Sequence, residues 1–265
     1  LKLKRFMGMT AALLLSLSAC TTAPQSHQEP DHASQPAEKS AENRSSQSQE
    51  ASPSTQDHEM SAMNQKGIHV VADPDSSLVL VNKYFKLPDS YVPKNLVDAR
   101  VPFIFSGKSE KRKMRQEAAH ALEHMFAAAE KEGIRLTGVS AYRSHRTQVS
   151  LFNYYVNKDG EKKALTYSAR PGTSEHETGL SIDVSGRNGQ YAATEAFGRT
   201  REAAWLTQHA HEYGFIIRYP KGKESITGYE YEAWHLRYVG RSAATTIFKR
   251  GLALEEYLGD VPVSK

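Results

Sequence analysis

Cysteine is nearly absent from this sequence: Cys20 is the only one in 265 residues. A chain with one thiol cannot close an internal disulfide or build a zinc site from paired thiolates, so its stability has to come from a packed core. Long apolar runs are missing as well. Met7–Leu17 is apolar but too short to span a bilayer as a mature helix. No basic run is interleaved with aromatics, which excludes a nucleic-acid-binding stripe. Large apolar side chains are almost missing from residues 21–66, and no internal repeat is present.

The head of the chain follows secretory logic. Lys2, Lys4 and Arg5 precede the apolar run, and Leu17-Ser-Ala-Cys20 follows it with small residues before the cysteine. Residues 1–19 are therefore expected to be a signal peptide. The string is similar to the lipobox of bacterial lipoproteins, which implies lipidation at Cys20 and attachment of an exported protein to the cell membrane. The formal net charge is +4, but three of the positive charges belong to the head, so residues 20–265 hold 31 basic and 30 acidic side chains, a net of +1. That balance argues weakly for any anionic partner.

Residues 20–66 are expected to form the lipidated cysteine and a disordered linker, because Ser, Gln, Glu, Pro and Ala cannot bury enough surface to offset the entropy of ordering. Such a linker has a root-mean-square span on the order of 35–40 Å. His27, His32 and His58 lie in it and read as solvated side chains. Residues 67–265 are long enough for one well-buried domain.

Within that domain, Leu78–Val81 reads as a short buried strand and 86–101, with Pro88 and Pro93, as an ordered surface loop. Apolar residues at spacings of three and four predict a helix over 111–132, stopped by Gly133. Strands are expected at 134–139, 180–185, 215–219 and 234–239, and helices at 146–156 (capped by Ser144), 194–213 and 243–258, the last bent near Gly251. Leu180, Ile182 and Val184 alternate with Ser181, Asp183 and Ser185, so one buried face leaves Asp183 on the other. Gly179 marks a bulge or a close backbone approach. Helices flanking short strands suggest an α+β layer arrangement.

Two strings carry chemistry, Ser174-Glu-His-Glu-Thr-Gly-Leu-Ser-Ile-Asp183 and Glu232-Ala-Trp-His235. His176, Asp183 and His235 are three metal-ligand types, and three protein ligands leave a tetrahedral zinc ion one position for water. Glu232 is a spare carboxylate that could take the proton from such a water. Trp234 offers an apolar wall. In Ser140-Ala-Tyr-Arg-Ser144, Arg143 presents a planar fork suited to a carboxylate or an oxyanion, and Gln148 follows a turn later.

The first string resembles the S-x-H-x-x-G-x-A-x-D signature of the zinc D-Ala-D-Ala carboxypeptidases of the VanY family, and the second matches that family's E-x-W-H. The resemblance is closest to the L,D-carboxypeptidase branch called LdcB or DacB. Leu78-Val-Leu-Val-Asn-Lys83, the Tyr-Arg-Ser string and Arg218-Tyr-Pro-Lys-Gly-Lys-Glu-Ser-Ile-Thr-Gly228 also look like that branch. It implies a hedgehog/D,D-peptidase-like α+β fold, a small antiparallel sheet with packed helices. It implies one zinc ion on His176, Asp183 and His235, with Glu232 as general base and Arg143 binding or stabilising charge. Gln148, Ser174, Tyr142 and Trp234 are implied to line the substrate pocket. Ser181 stands where Ala is usual, and Ala233 where Pro is frequent.

The function this implies is removal of the C-terminal D-alanine from peptidoglycan stem peptides by a membrane-tethered, extracytoplasmic monomer, with tetrapeptides preferred. Two other readings stay open: a D,D-carboxypeptidase acting on pentapeptides, and a non-catalytic lipoprotein that binds wall peptides. Glu232 argues against the last, since a pure binding site needs no base.

Overall fold

The structure is a computed structural model and describes residues 67–260. The expected signal segment, the lipidation at Cys20 and the linker 21–66 lie outside the described residues. Two small strand pairs open the domain. β1 (His69–Val70) runs parallel to β2 (Phe85–Lys86), and β3 (Leu96–Asp98) pairs antiparallel with β4 (Lys113–Arg115).

Leu78–Val81 corrects the sequence reading. Val79, Leu80 and Val81 are buried as expected, but they form no strand. The carbonyls of Ser77 and Val79 accept from the Arg237 guanidinium at 3.0 and 2.8 Å. A buried arginine thus satisfies backbone groups that a neighbouring strand would otherwise have to pair. The loop expected over 86–101 is likewise interrupted by β2 and β3.

α1 (Gln116–Lys131) buries Ala118, Ala119, Leu122, Met125, Phe126 and Ala129 along one stripe. It starts five residues later than the expected 111, because the apolar stripe begins only at Ala118. Residues 110–112 make a 3₁₀ turn capped by Ser109, and the backbone after it is taken up by β3. β5 (Thr137–Ser140) follows, then α2 (His145–Asp159), whose first turn is capped by Ser144 accepting from the Thr147 amide, and α3 (Glu161–Ala164). β6 (Ser181–Ser185) matches the expected strand. The helix expected over 194–213 breaks into α4 (Arg201–His209) between 3₁₀ turns at Glu195–Arg199 and Ala210–Tyr213, since Thr200 caps α4 by accepting from the Ala203 amide. β7 (Phe215–Tyr219), α5 (Glu224–Thr227), β8 (Glu232–Tyr238), α6 (Arg241–Arg250) and α7 (Leu254–Leu258) complete the domain. The bend expected at Gly251 is a full break between α6 and α7, with Gly251 at φ 62°.

Four strands form the central antiparallel sheet, in the order β5-β6-β8-β7. One face carries Leu180, Ile182, Leu236 and Phe215, all fully buried with Leu122 and Met125 of α1 in the main core. Burying each such side chain is worth roughly 1.5–3 kcal/mol. Ile216 points the other way and packs with Ala243, Ala244 and Ile247 of α6. On that second face the register sets Ser181 opposite Arg237 and Asp183 opposite His235. This is the α+β architecture expected, a small antiparallel sheet between packed helices.

Candidate metal and catalytic site

Sheet register, not chain proximity, assembles the site. Asp183 on β6 and His235 on β8 are direct partners, and Asp183 Oδ1 lies 3.0 Å from His235 Nδ1. His176 comes from a single 3₁₀ turn, Glu175–Thr178, just before β6. Gly179 ends that turn at φ 69°, and a Cβ there would stand 2.9 Å from Leu96 Cδ2. Both the left-handed backbone and the close approach explain the glycine. The turn brings His176 Nε2 to 3.2 Å from Asp183 Oδ2.

The other ring nitrogen of His176, Nδ1, is 2.7 Å from the Ala141 carbonyl, which can only accept. That contact places the proton on Nδ1 and leaves the Nε2 lone pair facing the site. The three ligand atoms of His176, Asp183 and His235 all lie within 4.8 Å of one another. Two imidazole nitrogens and one carboxylate oxygen, with no thiol among the described residues, suit zinc.

The charges around this cluster follow from burial and neighbours. Burial lowers the His176 pKa, the direction that favours the neutral ring a metal needs. Burial opposes ionisation of Asp183, but the attraction of His176 and His235 outweighs it and holds the carboxyl well below its ordinary range. Burial also works against a charged His235; hydrogen bonds to Asp183 and Glu175 overcome it and push the pKa up to about 10. A proton on Nδ1 thus sits where a metal ion would, and a cation there has to displace it.

Glu232 Oε2 is 3.9 Å from His235 Nδ1. Residues three apart on a regular strand point to opposite faces. β8 is irregular here: Leu236 pairs with Ile217 but Glu232 with Tyr219, so four residues of β8 oppose two of β7. Through this irregular stretch Glu232 still reaches His235, with its carboxylate 3.9 Å from Nδ1. Burial pushes the Glu232 pKa up to about 7. A dication on the neighbouring ligands would pull it back down.

Arg143 lies next to the cluster. Its amide donates to the His176 carbonyl at 3.2 Å, and its charge adds to the lowering of the His176 pKa. Its Nη1 donates to Gln148 Oε1 at 2.9 Å, and Gln148 Nε2 donates to the Ala169 carbonyl at 2.7 Å. Gln148 is thereby a buried strut that aims the guanidinium. Ser174 is buried at the start of the 3₁₀ turn, and Tyr142 is buried beside Arg143. Trp234 lines a cleft of about 510 Å³ together with Glu232 and Tyr231. Ala233, where the family string frequently has Pro, is buried.

Three residues in contact with the site were missed by the sequence reading. Glu175 is wholly buried and accepts from Arg218 Nε and Arg237 Nη1, both at 2.7 Å, and burial against its charge is overcome by those two guanidiniums. Arg218 also forks onto Glu255 of α7 at 2.7 and 2.9 Å. Tyr219 packs its ring 5.1 Å from that of His235. The signal for Glu175 was its position between Ser174 and His176; its partners lie 43 and 62 residues away and leave no local trace.

The chain is similar to proteins of known kind. A family profile described as "VanY: D-alanyl-D-alanine carboxypeptidase" matches residues 111–241. YodJ of Bacillus subtilis (strain 168), provisionally named a carboxypeptidase, is 50% identical over 195 residues, covering 74% of this chain and 71% of that protein. Among solved structures, the LdcB LD-carboxypeptidase matches with a TM-score of 0.73 and 48% identity over 77% of this chain and 94% of the other. A vancomycin-resistance D,D-pentapeptidase VanY variant in complex with Zn(II) matches with a TM-score of 0.57 and 32% identity, over 69% of this chain and 98% of the other.

Proposed function

For a chain that belongs to the VanY family of D-alanyl-D-alanine carboxypeptidases, and so is a zinc-dependent carboxypeptidase acting on peptidoglycan stem peptides, we propose release of the terminal D-alanine from tetrapeptide stems. The observation that carries this is a free carboxylate, Glu232, 3.9 Å from a nitrogen of a His-Asp-His cluster made for one zinc ion. The tetrapeptide preference rests on the LdcB likeness, the higher of the TM-scores above.

His176, Asp183 and His235 would hold a zinc ion, which would supply an acidified water and a positive charge for the scissile carbonyl oxygen. Glu232 is the carboxylate placed to take a proton from the attacking water and give it to the leaving amine. Arg143, aimed by Gln148, offers its remaining N–H donors to the terminal carboxylate or to the developing oxyanion. Ser174, Tyr142 and Trp234 shape the pocket around these groups. His176 and His235 act as ligands only, each with its second nitrogen turned to the protein.

The same reading puts the enzyme outside the cytoplasm, held to the membrane by a lipid on Cys20. No helix among the described residues is long and apolar enough to cross a membrane. Cys20→Ala should leave hydrolysis of soluble peptides intact and release the protein from membranes; continued firm attachment would point to another anchor.

The test is mass spectrometry of defined tetrapeptide and pentapeptide stems incubated with the zinc-loaded protein. Tetrapeptides should lose D-alanine with the higher kcat/KM. A tenfold preference for pentapeptides, about 1.4 kcal/mol of transition-state binding, would assign the D,D class instead. Peptide binding without cleavage in the zinc-loaded protein would make it a wall-peptide receptor.

A further inference from the structure

The zinc-site reading leaves unexplained why His235 presents Nδ1 rather than Nε2. Nδ1 faces Asp183 Oδ1 at 3.0 Å and Glu232 Oε2 at 3.9 Å. Nε2 is turned inward, 3.5 Å from Glu175 Oε2, and makes no hydrogen bond among the described residues. Glu175 is in turn held at both oxygens. Oε1 accepts from Arg218 Nε and Arg237 Nη1, each at 2.7 Å, while Oε2 accepts from Ser181 Oγ at 3.0 Å. Oε2 therefore keeps a lone pair for one more donor, and the nearest candidate is the Nε2–H of His235.

Ser181 stands where the family signature has alanine, and its hydroxyl has this single partner among the described residues. Its register partner Arg237 completes the frame by holding the carbonyls of Ser77 and Val79 at 3.0 and 2.8 Å. Arg218 ties the same carboxylate to Glu255 of α7. Two carboxylates and two guanidiniums balance in this buried set, so a charged Glu175 is tolerated there.

We propose that Glu175, fixed by the Ser181 hydroxyl, is the positioning residue that holds His235 with Nδ1 toward the metal and Nε2–H toward the interior. An anionic acceptor behind a ligating imidazole fixes its tautomer and ring plane and raises the basicity of the nitrogen that ligates. The inference rests on the zinc-site reading.

NMR-active cadmium in place of zinc, in protein carrying isotope-labelled histidine, tests it. Cadmium should couple to Nδ1 of His235, and the Nε2–H resonance should lie downfield and exchange slowly with water. In Glu175→Gln, with the fold checked by circular dichroism, that resonance should move upfield and exchange faster. Metal affinity by chelator competition should fall about 10–100-fold. Ser181→Ala should move the resonance the same way, with a smaller loss of affinity. Coupling to Nε2 overturns the proposal, as does a folded Glu175→Gln protein whose Nε2–H signal and affinity match the parent. Should Glu175→Gln not fold, Ser181→Ala decides: an unchanged Nε2–H shift and exchange rate overturns the proposal, and a changed one supports it. A parent protein in which cadmium couples to no nitrogen of His235 overturns the zinc-site reading itself, and the inference with it.

Discussion

Asp183 and His235 lie 52 residues apart in sequence and directly opposite each other in the sheet, with Oδ1 and Nδ1 3.0 Å apart. Two of the three metal ligands are therefore held by backbone hydrogen bonds between neighbouring strands. A site built on strands has little freedom to relax when a ligand is lost.

His176→Ala should abolish stoichiometric zinc binding and activity together. The remaining Asp183 and His235 make a two-ligand site, too poor in donors for tight zinc. Metal analysis after dialysis checks this; full occupancy in the variant would remove His176 from the ligand set.

Glu232→Gln separates base from ligands. Shape and hydrogen-bonding reach are kept, but the amide accepts no proton. Zinc should stay bound while kcat falls by about 10²–10⁴-fold, the usual cost of losing a general base. Near-normal kcat with zinc bound would assign the proton transfer to another group.

The zinc affinity should depend on pH with a definite sign. In the metal-free protein His235 holds its proton up to about pH 10. Zinc has to displace it, so between about pH 7 and 9 the apparent affinity should tighten about tenfold per unit. Metal-free stability should run the other way. The folded pKa of His235 is raised, so its contribution is fully present below the unfolded value and lost as pH rises toward 10. Glu232, raised to about 7, also loses stability as pH rises from its ordinary value to about 7, where the unfolded carboxyl has ionised and the folded one has not. Thermal melts and chelator competition across pH check both; a flat zinc affinity would mean that His235 carries no proton to displace.

Gln148→Leu should disconnect Arg143. The variant loses the acceptor for Arg143 Nη1 and leaves the Ala169 carbonyl without its donor. Stability should fall by about 1–3 kcal/mol for the stranded groups. If Arg143 grips the terminal carboxylate, KM should rise roughly tenfold with kcat kept; a fall in kcat instead would make it an oxyanion donor.

Gly179→Ala should cost about 1–3 kcal/mol in urea unfolding, because the residue is left-handed and its Cβ would press on Leu96. Zinc affinity should fall with it, since Gly179 sits between His176 and Asp183. Unchanged stability and zinc binding would mean that the turn relaxes freely.

The metal cluster of His176, Asp183 and His235 was legible in the sequence, because two short strings carry it with the spacing of a known family. The alternation of Leu180, Ile182 and Val184 with Ser181 and Asp183 also told which face of β6 the acid would occupy. Period-two alternation reports a face, however, and not a neighbour. That β6 lies beside β8, in the register that joins Asp183 to His235, was decided by strand pairing between distant segments. Nor does alternation predict the irregular pairing of β8 with β7 beside Glu232, whose carboxylate ends 3.9 Å from His235 Nδ1. Leu78–Val81 was misread for a related reason. Val79, Leu80 and Val81 are buried as in a strand, but the Val79 carbonyl, and that of Ser77 just before it, go to a single guanidinium from β8. Glu175 carries the same lesson: a local string shows an acid between a serine and a histidine, and only packing supplies the two arginines that keep it charged beneath His235.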